Sequence, residues 1–441
     1  MRCVINTKVK VIRVLIKSIH VKNFKSIKEA NIDLEPLTVV VGTNASGKSN
    51  LINVFRFISN IITEGVDNAI ALQGGISYLS NASLPKGTPI EISFSVDLST
   101  ERWVKRFDLK DIGFAIDTIS SKFVIQPNLR GEGYYIASDD LQLEYNCLKV
   151  NASAKKDERY SEMGEKVVLR FERKNRGASV QRQFIFSESS IFDEDTKERI
   201  QRDTSAKVFT LLADEDKKEL MLNCVSILLP RIFSESSFIR IFDFDPRELK
   251  KSSSMASVRR LNEDGSNLAS VLQTILRTQE NRKRLTTLLN EFLPFVESIT
   301  VENNLDKSFS YKVQEKYTNK AFHANFLSDG TVSILAIIVA LYFESESNII
   351  ILEEPERNIH PKLLANLLSA ANDVSSEKQI IITTHNAEIL KHTSIESLRL
   401  INRDRNGYSI ISCPKDNKIV KQFIQNELGV EDLFVQNMLG E

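Results

Sequence analysis

Cysteine is scarce in this chain, and the four that occur, Cys3, Cys147, Cys224 and Cys413, stand far apart. That spacing excludes a paired Cys metal knuckle and a disulfide framework, and it reads all four as small buried side chains in a reducing compartment. An excess of one charge is also missing, because 58 Lys and Arg balance 58 Asp and Glu. The whole molecule therefore has no net field for nucleic acid or a membrane, and any such contact must come from a local patch. No apolar run approaches the roughly 20 residues of a membrane span. Near the N-terminus, the apolar segment 11–17 is interrupted by Arg13 and reads as a strand, not as a leader. Sustained heptads of a long coiled coil are absent as well. What remains is a soluble chain expected in the cytoplasm, with no membrane partner. With 42% hydrophobic and 26% charged residues over 441 positions, it can hold two or three compact units and a large core.

The most informative stretch is 39–50, where the apolar run Val39, Val40, Val41 enters Gly42, Thr43, Asn44, Ala45, Ser46, Gly47, Lys48, Ser49, Asn50. This is the G-x-x-x-x-G-K-S pattern of a P-loop. Its glycines allow a turn tight enough for backbone N–H groups to surround a phosphate, and the helix that follows aims its positive end at the same point. Lys48 is expected to reach the terminal phosphates and Ser49 to ligand a magnesium ion. A glycine-rich surface turn can match the pattern by chance. The strand before it, and a helix after it with Leu51, Val54, Phe55 and Ile58 on one face, decide for the phosphate cradle.

Upstream, 15–21 and 30–34 alternate as strands, and the polar and aromatic turn 23–27 between them is either a plain connection or a contact to the base of a nucleotide. Downstream, Gln73, Gly74 and Gly75 break the chain before the alternating run 90–96. Gln73 is a candidate magnesium ligand and γ-phosphate sensor, a role that competes with an ordinary flexible turn. Alternation at 122–125, 141–148, 167–171 and 180–186 predicts an antiparallel extension. From Asp193 to about Phe233 the period becomes helical, around Val208, Leu211, Leu212, Leu220, Leu222, Val225 and Leu228. Basic residues cluster at Arg170, Arg173, Lys174, Arg176 and Arg182, and again at Lys250, Lys251, Arg259 and Arg260. Each cluster is either a solvated face or a DNA-phosphate contact. The strand at 238–245 ends in Asp243-x-Asp245, the spacing of a metal-nuclease carboxylate pair, but no further acidic partner stands at an interpretable spacing. A strand leaving the insertion is the better reading.

Two further elements complete the chemistry. Ser328, Asp329, Gly330 and Thr331 precede an apolar helix carrying Val332, Leu335, Ala336 and Val339, with Ser328 at the N-cap, which makes a second anion site. The apolar strand 348–352 ends in Glu353 and Glu354, which at strand period point in different directions. One can join the magnesium shell while the other faces the γ-phosphate and orients water. A loop then closes on a helix begun by Pro361, and the strand 379–384 delivers His385 within reach of the same phosphate.

Taken together, the phrases at 24–27, 42–50, 263–268, 327–331, 352–356 and 384–386 resemble the ABC-type ATPase head of the SMC and RecF kind. More narrowly, the chain is similar to the prokaryotic AAA15/AAA21 ATPases that include OLD-like proteins and defence ATPases such as PtuA of Septu and AriA of PARIS. The resemblance spans most of 15–441 and is weakest between 99 and 235. Glu353 stands where many such heads have Asp, and Asp329 and Thr331 stand where transporters have other residues. Both changes keep the charge or the cap.

The resemblance implies an α/β fold: an ABC-type P-loop ATPase head split by an insertion, with an antiparallel β extension and a short helical arm. The expected lobes are 1–186, carrying the P-loop, then a helical insertion at 187–236, then 237–441. ATP would be sandwiched between two subunits, with Lys48, Ser49, Glu353, Glu354 and His385 from one and Ser328 and Gly330 from the other. Glu354, His385 and Lys48 would be catalytic; Gly42, Asn44, Ala45, Ser46, Gly47 and Asn50 would wrap the nucleotide; Ser49, Glu353 and Gln73 would hold Mg2+. The implied protein is a nucleotide-dependent homodimer or larger scaffold that controls a nuclease or toxin effector in antiphage defence, with DNA as a candidate ligand. A RecF-like repair ATPase acting at DNA ends or junctions shares the head and stays open. A transporter ATPase fits the large insert poorly. A fused nuclease of the OLD type is disfavoured, since only 56 residues follow His385, against the roughly 100 of a typical small domain.

Overall fold

The structure is a computed structural model that describes residues 14–99, 104–105, 111–151, 160–174, 179–202, 219–229, 233, 238–256 and 260–414. Cys3, the strand residues 11–13, the helical positions Val208, Leu211 and Leu212, the basic residues Arg176 and Arg259, and the segment 415–441 lie outside the described residues. By contacts the chain forms two units, Met1–Lys22 with Asn60–Ser234, and Asn23–Ser59 with Glu235–Glu441. The expected lobes followed chain order. The contacts instead group the P-loop with the C-terminal half, because strand Leu37–Val41 is hydrogen-bonded between two late strands.

The unit that contains the P-loop is built on a six-stranded sheet. In spatial order its strands are Ile239–Phe242, Ile349–Glu353, Gln379–Thr384, Leu37–Val41, Leu398–Arg403 and Ser409–Ser412. The first five are parallel and the last is antiparallel. Strands 37–41 and 379–384 are buried at every residue, as their unbroken apolar runs predict for a parallel sheet covered on both faces. The helix Asp329–Phe343 is buried from Thr331 to Leu341 on all sides. The apolar stripe read from sequence is thus only part of a helix that runs through the core, packed against helices Gln279–Phe292 and Leu364–Ser375. A small antiparallel sheet of Ser253–Ser254, Val296–Asn303, Ser308–Glu315 and Phe322–His323 joins the same core through Tyr311 and Val313.

The other unit is an antiparallel meander. Most of strand Leu15–Phe24 belongs to it, followed in spatial order by Ile90–Asp97, Ile112–Pro127, Tyr134–Val150, Tyr160–Arg173 and Gln181–Phe186. The strands exceed the alternating segments, and alternate residues are buried along Ile90–Asp97 as period 2 requires. The long helix Lys48–Leu72 is broken at Gly65, whose φ of 84° and ψ of 167° are not helical. Within the expected insertion the described helices are Glu194–Gln201, capped by Asp193, and Met221–Leu228.

This second unit buries charge. Asp139, with no exposure, lies 3.4 Å from the buried Arg173, accepts a 2.7 Å bond from the Met221 backbone N–H, and Arg173 in turn donates to the Glu219 carbonyl. Removing one partner leaves the other charged and unsolvated. Asp139→Ala is expected to destabilise this unit by about 3–5 kcal/mol. Chemical denaturation of the full chain checks it, and a midpoint unchanged from wild type would show that the pair carries no stability.

Candidate functional site

All the chemistry of the P-loop unit gathers at the carboxyl ends of its parallel strands, the edge where open α/β sheets bind ligands. Gly42 follows strand 37–41, Asp243 follows 239–242, Glu353 ends 349–353, His385 follows 379–384 and Arg403 ends 398–403. Pairing of Thr383 with Glu353 and of Thr384 with Val41 holds the three central ends level. A cavity of about 410 Å³ opens there, lined by P-loop residues together with Glu353, Glu354, Arg357 and Arg403.

The P-loop is shaped for a phosphate. Ala45 and Gly47 have φ of 62° and 112°, so the turn folds back on itself and the helix begins at Lys48. The Lys48 ammonium donates to the carbonyls of Gly42 at 2.9 Å and Thr43 at 3.1 Å and stands 3.4 Å from Glu354 Oε1. The buried hydroxyl of Ser46 has no hydrogen-bond partner among the described residues. A cradle with a helix N-terminus, a lysine held by carbonyls and an orphaned buried hydroxyl fits an anion.

From behind, hydroxyl groups bolt this loop in place. Asn50 Nδ2 donates to Ser26 Oγ at 2.6 Å, Ser26 Oγ and Ser409 Oγ lie 2.7 Å apart, and Ser409 Oγ donates to the Ser46 carbonyl at 2.7 Å. Arg403 Nε donates to the Ala45 carbonyl at 2.5 Å. Of the two readings of the turn at 23–27, the structure shows Ser26 as a support of the P-loop, with Phe24 buried against Phe57.

The two adjacent glutamates have separate surroundings. Glu353 Oε1 accepts from Ser49 Oγ at 2.7 Å, so two hard oxygen donors converge where a magnesium ion would sit. Burial pushes the Glu353 carboxyl above its ordinary value, against the Ser49 hydrogen bond and with the negative charge of Asp243 adding to the rise. Glu354, at φ 42°, leaves the strand in the left-handed region and turns toward Lys48, Arg357 and His385. Burial alone would raise its carboxyl too, but the Arg357 hydrogen bond and the charges of His385 and Lys48 hold it below the usual range. His385 Nδ1 lies 3.2 Å from Glu354 Oε1 and 4.0 Å from Glu356 Oε1. Glu356 is buried, accepts from the Thr384 hydroxyl, and is pushed up by burial.

The structure thus brings Lys48, Ser49, Glu353, Glu354 and His385 together. Ser328 and Gly330 stand outside the cavity lining. Ser328 is the N-cap of the helix 329–343, its hydroxyl accepting from the Thr331 N–H at 3.1 Å, and a Cβ on Gly330 would meet the Asn358 carbonyl oxygen at 2.6 Å. Gln73 is a buried residue of the other unit, just beyond the last turn of its helix. The basic clusters do not form open patches among the described residues. Arg170 pairs with Asp140 and Glu172, Lys174 with Glu172, Lys250 with Asp329, Lys251 with Glu248 and Arg260 with Glu346. Arg173 is buried with Asp139. Arg182 donates to the Gln201 carbonyl, so each described member of the two clusters has a partner in the fold.

Sequence reading missed Ser409, Arg403 and Arg357 as site residues and set Asp243 aside. Arg357 stands between named motif residues and could have been found by its place in the loop. Ser409 carries no local signal, and its partner Ser26 is 383 positions away.

A family model described as the AAA ATPase domain, AAA_15, matches residues 15–390. Among curated proteins, the DNA replication and repair protein RecF of Thermosynechococcus vestitus is 30% identical over 91 residues, 20% of this chain and 24% of that protein. The match therefore spans about a quarter of that relative's length. Among solved structures, an SMC head bound to the C-winged helix domain of ScpA aligns at TM-score 0.47 and 14% identity, over 90% of this chain and 96% of that one. The SMC head domain from Thermotoga maritima aligns at 0.38 and 14%, over 90% and 98%. A Smc head with an extended coiled coil, bound to the C-terminal domain of ScpA and derived from Pyrococcus furiosus, aligns at 0.42 and 12%, over 93% and 100%.

The loop geometry generates a direct test. A Cβ on Gly47 would lie 2.0 Å from Ser409 Oγ, and its φ of 112° is unfavourable for any other residue. Gly47→Ala is expected to weaken binding of a nucleoside triphosphate about 5- to 150-fold, the effect of roughly 1–3 kcal/mol of backbone strain in the cradle. Titration calorimetry reads it, and wild-type affinity in the variant would count against this loop as the cradle.

Proposed function

We propose, because the chain belongs to the AAA ATPase domain family, that it binds Mg-ATP at the P-loop and hydrolyses it to ADP and phosphate. The observation that carries this reading is the convergence of Lys48, Ser49, Glu353, Glu354 and His385 at one sheet edge. The P-loop backbone from Gly42 to Ser49, with Asn44, Ala45 and Ser46, wraps the phosphates, and Asn50 holds the loop to Ser26. Lys48 exchanges Glu354 for the terminal phosphates. Ser49 and Glu353 would hold a magnesium ion, which when bound would neutralise phosphate charge. Freed from Lys48, Glu354 accepts a proton from the attacking water and orients it, while His385 stands beside it to contact the γ-phosphate.

The output we assign is assembly. The capped N-terminus of the helix 329–343, with Ser328 and Gly330, is offered to the γ-phosphate of a second copy, so that ATP is sandwiched between two subunits in a dimer or larger scaffold. That scaffold would control an effector, a nuclease or toxin, in antiphage defence. The 91-residue match to a RecF protein favours a second reading, an ATPase of DNA repair that binds DNA ends or junctions. Neighbouring genes separate the two: an adjacent nuclease or toxin gene supports defence, and adjacent repair genes support the other. In both, no nuclease activity is expected from Asp243 and Asp245, since Asp243 is paired with Arg357 and Asp245 caps the short helix Pro246–Leu249.

Glu354→Gln tests the chemistry. The amide keeps the shape and removes the base, so hydrolysis should fall on the order of 100-fold or more while ATP binding survives. A closed assembly should then accumulate with ATP, visible by mass photometry beside a phosphate-release assay. Wild-type turnover would remove Glu354 from the mechanism, and an inactive variant that binds ATP without assembling would sink the sandwich.

A further inference from the structure

Asp243, set aside as half of a metal pair, lies at the carboxyl end of the edge strand Ile239–Phe242, beside the strand that ends in Glu353. Its own backbone N–H donates to the Glu263 carbonyl at 3.0 Å, which fixes where it stands. Its Oδ1 accepts from Arg357 Nη1 at 3.0 Å, and Arg357 Nε donates to Glu354 Oε2, also at 3.0 Å. The Arg357 backbone N–H meanwhile donates to the Glu354 carbonyl at 3.0 Å. A guanidinium is a rigid planar fork, so holding one arm on Asp243 and another on Glu354 sets its plane. With Oε2 taken, the oxygen of Glu354 that faces Lys48 and His385 is Oε1.

We propose that Arg357 and Asp243 are positioning residues for Glu354: Arg357, steered by Asp243, fixes the rotation of the carboxylate so that Oε1 is the oxygen presented to water. The inference rests on the reading of Glu354 as the general base. It also accounts for an arginine in a cavity where Lys48 already serves the phosphates and Arg403 is held by the Ala45 carbonyl. The side chains of Arg357 and Asp243 are 44% and 40% exposed. A pair so exposed adds little to folding stability, so its loss should be read in turnover and not in melting.

The experiment is steady-state ATP hydrolysis by the full chain, with titrations of ATP and Mg2+ and a melting curve for each variant. Arg357→Ala and Asp243→Ala should each lower kcat about tenfold, the rate equivalent of one charge-assisted hydrogen bond. KM for ATP, the Mg2+ requirement and the Tm should stay at wild-type values. The double variant should be no slower than either single one, Arg357→Lys should recover part of the loss, and Arg357→Ala should add nothing to Glu354→Gln. A raised KM would make Arg357 a nucleotide contact, a raised Mg2+ requirement in Asp243→Ala would make Asp243 a metal ligand, and a faster Arg357→Ala would make it a brake. Each of these overturns the positioning role, as do additive losses in the double variant. If the wild-type chain turns over no ATP, the parent reading fails and takes this one with it; wild-type turnover with additive variants refutes the positioning role alone.

Discussion

The site depends on one set of hydrogen bonds, those that hold Leu37–Val41 between Gln379–Thr384 and Leu398–Arg403. Parallel strands need long crossovers, and here the crossover between the first strand of the sheet and its neighbours includes most of the chain. The consequence is chemical. Thr384 accepts from the Gly42 N–H through its carbonyl at 3.1 Å, and the Thr383 carbonyl accepts from the Glu354 N–H at 2.8 Å. The start of the P-loop and the second carboxylate are therefore both tied to the last two residues of one central strand, and the next residue on that strand is His385.

That arrangement explains how two neighbouring glutamates acquire different properties. Glu353 is still part of the strand and meets Ser49, whereas Glu354 has left it at positive φ and meets Lys48, Arg357 and His385. Their carboxyls are displaced in opposite directions, upward for Glu353 and downward for Glu354. Opposed environments of this kind are how adjacent acids come to serve different roles. A residue kept ionised beside a lysine suits proton acceptance, and one drawn toward a hydroxyl suits a metal shell.

Much of this was legible in the chain because each principal group stands within three residues of the end of an apolar run. Val39 to Val41 before Gly42, Ile349 to Leu352 before Glu353, and Ile380 to Ile382 before His385 mark strand ends without any knowledge of their order. What could not be read was which ends become neighbours. Asp243 looked isolated because its partner Arg357 is 114 positions away, and Ser409 gave no signal because only sheet order sets it behind Gly47. The partners of the basic clusters were hidden for the same reason. Arg170 and Lys174 are adjacent to acids across the strand, on the partner or two residues along, and local charge counting does not see the pairing.

The loop after Glu353 shows why these residues are held so firmly. Glu354 and Asn358 both have positive φ, at 42° and 63°, and conformations of that kind cost on the order of 1–3 kcal/mol each unless the surroundings impose them. The surroundings do so at both ends. At one end the Glu354 N–H is bonded to the sheet; at the other the Asn358 carbonyl sits against Gly330, where a Cβ would approach to 2.6 Å. Between them the Arg357 and Ile359 N–H groups donate to the Glu354 and Glu356 carbonyls at 3.0 Å. Gly330 is thus required for packing within its own subunit, whatever else approaches the helix N-terminus. It follows that the first turn of the helix 329–343 cannot shift toward Asn358 without moving the loop that carries Arg357 and Glu354. The N-terminus of the helix 329–343 and the carboxylate of Glu354 are thus linked by five residues of tightly turned backbone, 354–358.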